Sequence, residues 1–208
     1  RVDRRQRQMC IRDRVERIQR FAFEIARSRP RKLLTLVTKS NAQRHGMVMW
    51  DEIFEEISQD YRDITTDKML VDAMTTRMVL DPQSIDTVVA SNLHADILTD
   101  LAASLSGSMG IAPTGNLDPE KRHPSMFEPI HGSAFDIMGL GIANPIGSYW
   151  SAVMMLENLG ELKASQRLMS AIEKLTSDKK ILPKDLGGKS STKEVTKAMI
   201  NIISGKNK

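Results

Sequence analysis

The sequence is poor in cysteine and has no long apolar run. Cys10 is the single cysteine among 208 residues, so neither an internal disulfide nor a cysteine metal cluster can form, which fits a reducing compartment. No stretch approaches the roughly 20 apolar residues that a bilayer-spanning helix needs. The first residues do not place a short basic region before an apolar block. We therefore expect neither a membrane span nor a secretory signal.

Aromatic residues are scarce as well, which bears on the positive charge. The net charge is +4 and the isoelectric point is 9.2, values that would suit a nucleic-acid partner. Residues 1–14, however, hold six Arg and two Asp, so residues 15–208 carry 24 basic and 24 acidic side chains and are neutral. The basic arm contains no aromatic side chain that could stack on bases. We therefore do not expect nucleic-acid binding.

Collagen-like, low-complexity and repeat patterns are absent, and the composition is that of an ordinary globular chain. Apolar residues recur at helical spacing from Val15 onward, and this helix is predicted to end before Pro30. Further strands and helices alternate after it. They are predicted, in order, at 32–38 (strand), 47–60 (helix), 85–91 (strand) and 93–105 (helix). This alternation predicts an α/β fold.

Glycine and proline are concentrated in the segment 106–147. A loop region of this length inside a compact chain is usually functional. Two further helices are predicted after it, at about 148–159 and 164–177, and a Gly-Gly loop at 187–188 precedes a final helix from Thr192.

Three acidic residues are candidates for a metal site. Asp96 and Asp100 are four positions apart on a predicted helix, so both carboxylates lie on one face, where like charges repel. An oxygen-seeking divalent cation would remove that repulsion, although on spacing alone a solvated acidic face is the preferred interpretation. Asp72 lies between apolar residues in LVDAM, where an unpaired carboxylate would be costly, so we expect it to have a partner.

One lysine and one loop complete the candidate site. Lys39 directly follows the first predicted strand, at the strand end where α/β folds place their sites, and a lysine near a metal can act as a general base. An ordinary surface lysine is the alternative. The loop 128–145 supplies His131, a buried-looking Asp136 and Asn144, with glycines for close backbone approach. No G-x-G-x-x-G pattern follows a strand, so a Rossmann site is not predicted. For His131 by itself, a structural role is the more common case.

Together these segments resemble one family. The strings VTKSN, LVDAM, NLHADILTDLAASLSGSMGIAPTGNLDP, FEPIHGSAFDI and GIANPIGS occur in this order. They resemble the metal-dependent β-decarboxylating dehydrogenases of 2-hydroxy acids, a group that includes isopropylmalate, isocitrate, tartrate and D-malate dehydrogenases. The resemblance runs from about Val15 to the C-terminus and is strongest to the tartrate and D-malate branch.

The resemblance implies an isopropylmalate-dehydrogenase-like two-domain α/β fold, truncated at the N-terminus. Residues 15–106 would form the dimerisation and metal domain, and residues 107–208 the C-terminal half of the nucleotide-binding domain. Residues 1–14 match nothing in the family, and we interpret them as an artefactual arm joined to a genuine fragment. Cys10 stands near the place of the family's catalytic tyrosine, and the family's substrate-binding arginines lie in an N-terminal portion that this sequence does not contain. We therefore expect the fragment alone to be inactive.

The resemblance also assigns roles to residues. Lys39 matches the catalytic lysine, which takes the proton of the substrate hydroxyl and reaches across a dimer interface. Asp96 and Asp100 match two metal carboxylates, and Asp72 matches a third that the neighbouring subunit contributes. The implied cation is Mg²⁺ or Mn²⁺, and the resemblance is also compatible with a monovalent cation.

The implied dinucleotide is NAD. Its adenosine would contact the loop from His131 to Asn144. Asp136 matches the acid that binds the ribose hydroxyls and would repel a 2′-phosphate, and Ile137 follows where NADP-dependent relatives have a polar aromatic residue. The full set of cofactor-binding residues is His131, Gly132, Ser133, Ala134, Asp136, Ile137 and Asn144.

The resemblance predicts a cytoplasmic homodimeric enzyme with sites shared across the interface. It would oxidise a small 2-hydroxy dicarboxylic acid such as D-malate or tartrate, with or without decarboxylation. Isopropylmalate dehydrogenase is one alternative. A non-catalytic fragment whose basic arm binds nucleic acid is another.

Overall fold

The structure is a computed structural model that describes residues 4–205, with side chains from Ile11 onward. The chain forms two compact units, residues 1–102 and 103–208, and the division falls within a helix. The expected boundary was at 106/107. The side chain of Cys10 lies outside the described residues. None of the described helices is both long and apolar enough to cross a membrane.

The first unit contains a three-stranded parallel sheet with the strand order β2-β1-β3. Its elements alternate along the chain, as the sequence predicts. They are α1 (Arg4–Ser28), β1 (Leu33–Thr38), α2 (Gly46–Ser58), β2 (Thr65–Leu70), α3 (Val71–Leu80), β3 (Thr87–Ala90) and α4 (Asn92–Leu105). A 3-10 turn at Pro82–Ser84 precedes β3.

The central strand β1 is buried on both faces, which explains its continuous apolar sequence. Leu34 and Leu36 belong to one apolar cluster with Phe23 of α1 and Phe54 of α2. Val37 belongs to a second cluster, with Met74 of α3 and Leu98 of α4. Helices therefore cover this sheet on both sides, as is usual for parallel sheets.

An aromatic and ionic cluster holds α1 to the rest of the first unit. The Phe23 ring lies 4.7 Å from that of Tyr61 and 5.1 Å from that of Phe54, measured between centroids. The Arg27 guanidinium lies 4.4 Å above the Tyr61 ring and pairs with Asp63 at 2.8 Å. Side-chain hydrogen bonds from Arg27, assisted by Lys32, lower the pKa of the Asp63 carboxyl to about 2.

The second unit consists of a short antiparallel hairpin and three helices. The hairpin pairs β4 (Pro113–Asn116) with β5 (Met126–Pro129). The helices are α5 (Ile146–Asn158), α6 (Leu162–Ser177) and α7 (Thr192–Ile203). Ile146 and Val153 of α5, Ile172 of α6 and Val195 of α7 meet in one apolar core.

The predicted helices and apolar strands are confirmed, with three differences. Helix α1 begins at Arg4, well before Val15. The strand β2 and the helix α3 were not predicted, because Thr65–Leu70 is a mostly polar edge strand without an apolar run. The segment 106–147 contains the β4–β5 hairpin, whose Pro113 and Pro129 argue against strands when only the sequence is read.

Candidate active site

Lys39 and Asp72 meet at the carboxyl edge of the parallel sheet. β1 ends at Thr38, directly before Lys39, and its neighbour β2 ends opposite it at Leu70. Asp72 lies in the first turn of α3, which begins directly after β2. The Lys39 Nζ donates a hydrogen bond to the Asp72 carboxylate. The two strand ends therefore bring a cation and an acid together at the edge where α/β folds place their sites.

The expectation that Asp72 is buried among apolar side chains is wrong. Its side chain is 65% exposed, because α3 begins at Val71 and turns the acid outward at the sheet edge. The expected partner is nevertheless present, and the hydrogen bond from Lys39 lowers the pKa of the Asp72 carboxyl. The Lys39 side chain is 27% exposed, so an ammonium and a carboxylate face solvent together.

A second acid, which sequence reasoning missed, lies beneath the Lys39 loop. Asp51 of α2 is almost fully buried, and its Oδ2 accepts a hydrogen bond from the Ser40 hydroxyl at 2.8 Å and lies 3.3 Å from the Lys68 Nζ. Its Oδ1 is buried and has no hydrogen-bond partner within the described part of the chain. Asp51 shares the apolar face of α2 with Met47 and Phe54, and an acid on such a face was the available signal.

The turn that follows β1 fixes the backbone of Lys39. The Lys39 carbonyl accepts hydrogen bonds from the backbone N–H groups of Ala42, at 3.0 Å, and Gln43, at 2.8 Å. Ser40, the next residue, is tied to Asp51. The backbone hydrogen bonds of the turn and the Ser40–Asp51 contact therefore fix the position of Lys39.

Asp96 and Asp100 lie on α4, which begins two residues after β3 ends. Both are exposed, and their spacing of four residues places them on one helix face, as predicted. Across residues 11–205, no three His, Cys, Asp or Glu side chains come together as a group able to hold a metal ion. Within one chain, Asp72 therefore does not form such a group with Asp96 and Asp100.

The predicted adenosine loop lies in the second unit. His131, Gly132, Ser133, Ala134 and Asp136 are exposed, and Ile137 is partly buried. The expectation of a buried Asp136 is wrong, because the 3-10 turn Phe135–Ile137 turns it to solvent. The His131 Nδ1 lies 3.0 Å from the Gly132 carbonyl oxygen. Ala134 has the left-handed backbone conformation, with φ 43° and ψ 57°, which is strained for a residue with a Cβ.

Asn144 is anchored at the far end of the same loop. Its Nδ2 donates to the Asp185 carboxylate at 2.8 Å, and its Oδ1 accepts from the backbone N–H of Ile146 at 2.9 Å. The amide therefore satisfies the backbone N–H of the first residue of α5 while it contacts a residue beyond α6.

The donor types suit the implied groups. Exposed carboxylates are the ligands that Mg²⁺ and Mn²⁺ prefer, and Mg²⁺ usually takes one or two of them while substrate and water complete its shell. Asp96 and Asp100 on one face supply such a pair. The exposed carboxylate of Asp136 suits the hydroxyl groups of a ribose.

Comparison with known proteins gives a consistent result. The family profile of isocitrate/isopropylmalate dehydrogenase matches residues 5–202. A probable tartrate dehydrogenase/decarboxylase of Agrobacterium vitis is 64% identical over 193 residues, which are 93% of this chain and 54% of that protein. The D-malate dehydrogenase (decarboxylating) of Escherichia coli is 45% identical over 91% of this chain and 54% of its own length.

Solved structures agree with these sequence matches. The isocitrate dehydrogenase of Methylococcus capsulatus superposes with a TM-score of 0.88 at 38% identity, covering 92% of this chain and 56% of that one. A β-decarboxylating dehydrogenase of Thermococcus kodakarensis gives a TM-score of 0.79 at 36% identity, covering 93% of this chain and 56% of its own. The chain spans about half the length of the curated relatives it matches.

Proposed function

The chain belongs to the isocitrate/isopropylmalate dehydrogenase family, and on that premise we propose that it carries part of the active site of an NAD-dependent and metal-dependent dehydrogenase. The substrate class is a small 2-hydroxy dicarboxylic acid such as D-malate or tartrate, oxidised with or without loss of CO₂. The single observation that carries the proposal is the Lys39–Asp72 contact at the sheet edge, in a chain 64% identical to a probable tartrate dehydrogenase/decarboxylase.

Lys39 is the proposed general base. Its amine accepts the proton of the substrate hydroxyl as C2 is oxidised. In the observed pair Lys39 is the donor, so its amine must first release a proton and leave Asp72. Solvent water is available to accept this proton, because the Lys39 and Asp72 side chains are both partly exposed.

The carboxylates of Asp96, Asp100 and Asp72 are the proposed ligands of Mg²⁺ or Mn²⁺, with Asp72 acting on a neighbouring copy of the chain in a homodimer. When bound, the cation supplies charge stabilisation at the substrate oxygens and NAD accepts the hydride. Asp72 would then have two tasks, since it holds the Lys39 ammonium in its own chain and faces the cation across the interface.

Asp136 is the proposed determinant of NAD use. An exposed carboxylate in a short loop binds ribose hydroxyls and repels a 2′-phosphate. Replacing it with Ala is expected to raise the KM for NAD and to narrow the preference for NAD over NADP. An unchanged preference would show that Asp136 does not contact the ribose.

The relatives favour the tartrate and D-malate branch over isopropylmalate dehydrogenase. The remaining alternative, a non-catalytic chain with a nucleic-acid-binding arm, depends on residues 1–14. Removal of these residues would abolish nucleic-acid binding by the chain if that alternative were correct, whereas under our proposal the chain does not bind nucleic acid with or without them.

The test joins residues 15–208 of this chain to the N-terminal portion of the Agrobacterium vitis relative, extended so that it replaces residues 1–14 and with them Cys10. We refer to this protein as the chimaera. We expect it to reduce NAD with D-malate or tartrate in the presence of Mn²⁺. Lys39→Ala is expected to reduce turnover by roughly 10²–10⁴-fold. Lys32→Ala, an exposed lysine at the start of the same strand region, is the matched control and should retain turnover. Loss of activity in the control alone, or turnover of neither substrate by the unmodified chimaera, would contradict the proposal.

A further inference from the structure

The anchored end of the adenosine loop is held by residues from the C-terminal part of the chain. Asp185, in the 3-10 turn Lys184–Leu186, accepts from the Asn144 amide at 2.8 Å. The same carboxylate oxygen accepts a hydrogen bond from the Ser108 hydroxyl. One oxygen atom therefore connects three segments that are distant in sequence.

The close approach of Asp185 depends on a glycine. A Cβ placed on Gly110 would lie 2.5 Å from the Asp185 Oδ2 and 3.0 Å from the Asn144 Cβ, so any larger residue would force the cluster apart. The Gly110 N–H donates to the Ser108 Oγ at 2.9 Å, which orients the hydroxyl that reaches Asp185. The contact is thus a built feature and not a chance approach of surface side chains.

Thr192 holds the same loop from a second direction. Its backbone N–H donates to the Gly141 carbonyl at 2.9 Å, and its Oγ1 donates to the Ala143 carbonyl at 2.5 Å. Thr192 is the first residue of α7 and lies between Ser191 and Glu194, which form a capping box. The helix start that carries Thr192 is therefore itself fixed.

The other end of the loop has no comparable anchors among its described contacts. The backbone hydrogen bonds of residues 134–140 are local, from Ile137 to Ala134, from Met138 to Phe135 and from Leu140 to Ile137. The loop therefore consists of an exposed part, 131–140, and an anchored part, 141–144.

We propose that Asp185 and Thr192 form a clamp that positions Asn144 and the anchored part of the loop for the adenosine end of the dinucleotide. The two are positioning residues and act through the loop. The proposal rests on the proposed NAD site. It assigns to the C-terminal turn and helix a function in nucleotide affinity, because a loop already ordered before binding loses less conformational freedom when the ligand arrives.

Asp185 also fixes which way the Asn144 amide faces. A carboxylate accepts only from the amide nitrogen, so the amide oxygen is directed to the Ile146 N–H. An asparagine at position 185 keeps the shape of the side chain but presents an N–H₂ group of its own to the cluster. Asp185→Asn therefore perturbs the orientation with little change in volume.

The test measures NAD affinity of the chimaera by calorimetry. Asp185→Asn and Thr192→Val are each expected to weaken binding by roughly five- to tenfold, the scale of one lost hydrogen bond to a charged or ordered group. The KM for the hydroxy acid and the kcat at saturating NAD should stay unchanged. Lys193→Ala, at the exposed position next to Thr192, removes neither loop contact and keeps the helix cap, so it is the matched control and should bind NAD as the unmodified protein does.

A double-mutant cycle identifies the route of the effect. If Asp185 acts through Asn144, then Asp185→Asn should add little to the loss already caused by Asn144→Ala. Additive losses would overturn the clamp, as would unchanged affinity in both single variants or an equal loss in Lys193→Ala. Each of these results leaves the proposed NAD site intact. Failure of the unmodified chimaera to bind NAD would instead overturn the site and the clamp together.

Discussion

Lys39 and Asp72 are 33 positions apart in sequence, yet their side chains are joined by a hydrogen bond in one chain. Two neighbouring parallel strands, β1 and β2, deliver them to the same edge of the sheet. Asp96 and Asp100 come from the helix after the third strand. The proposed site therefore has two parts, one that carries the lysine with its acid and another that carries the carboxylate pair.

Asp51 is expected to stabilise the first unit through the Lys39 loop. Asp51→Ala leaves the Ser40 hydroxyl without its acceptor. It also removes the nearer of the two carboxylates beside Lys68, which are Asp51 at 3.3 Å and Glu55 at 3.8 Å. We expect the free energy of unfolding to fall by about 1–3 kcal/mol, and turnover of the chimaera to fall as the Lys39 loop loosens. Urea unfolding of the chain measures the first effect. Glu52→Ala, at the exposed neighbouring position, is the control, and equal losses in the two variants would contradict a special role for Asp51.

Asp63 is expected to make the stability of the first unit depend on pH. Hydrogen bonds from Arg27 lower its pKa to about 2 in the folded chain, below the value of about 3.9 expected after unfolding. The stabilising contribution is therefore present above the unfolded pKa and is lost as the pH falls through the folded pKa. The melting temperatures of the unmodified chain and of Asp63→Asn should differ near pH 5 and converge toward pH 2.

Asp13→Asn, on the exposed surface of α1, is the control variant for this pH dependence of the melting temperature. A difference between Asp63→Asn and the unmodified chain that persists unchanged at pH 2 would show that the Arg27 contact does not act through the Asp63 charge.

Ala134 carries backbone strain in the adenosine loop. Its φ of 43° is unfavourable for a residue with a Cβ, so Ala134→Gly relieves strain in the folded chain. The greater freedom of glycine in the unfolded chain offsets part of this gain. We expect the free energy of unfolding to rise by roughly 0.5–1 kcal/mol. Ala112→Gly is the matched control, because Ala112 has an ordinary φ of −80° and should lose stability when changed. Equal destabilisation of both variants would show that the strain is not real.

The sequence predicts those parts of the molecule that depend on local pattern. The apolar run of β1 and the amphipathic spacing of α4 were sufficient to place Lys39 at a strand end and the two helix acids on one face. The polar edge strand β2 gave no such signal, so the placement of Asp72 beside Lys39 came only from the tertiary fold. The same holds for Asp51 and Asp185, whose partners lie on elements that no local pattern connects.

The central claim is that Lys39 serves a site whose Asp96 and Asp100 belong to the neighbouring subunit. The most direct measurement mixes two inactive chimaeras, Lys39→Ala and Asp100→Asn, after dissociation and reassociation. A mixed dimer then contains one intact site and one doubly altered site. With random pairing, about a quarter of the unmodified activity should return. A mixture that stays as inactive as its two components would contradict the shared site and place Lys39 and Asp100 in the same subunit's machinery.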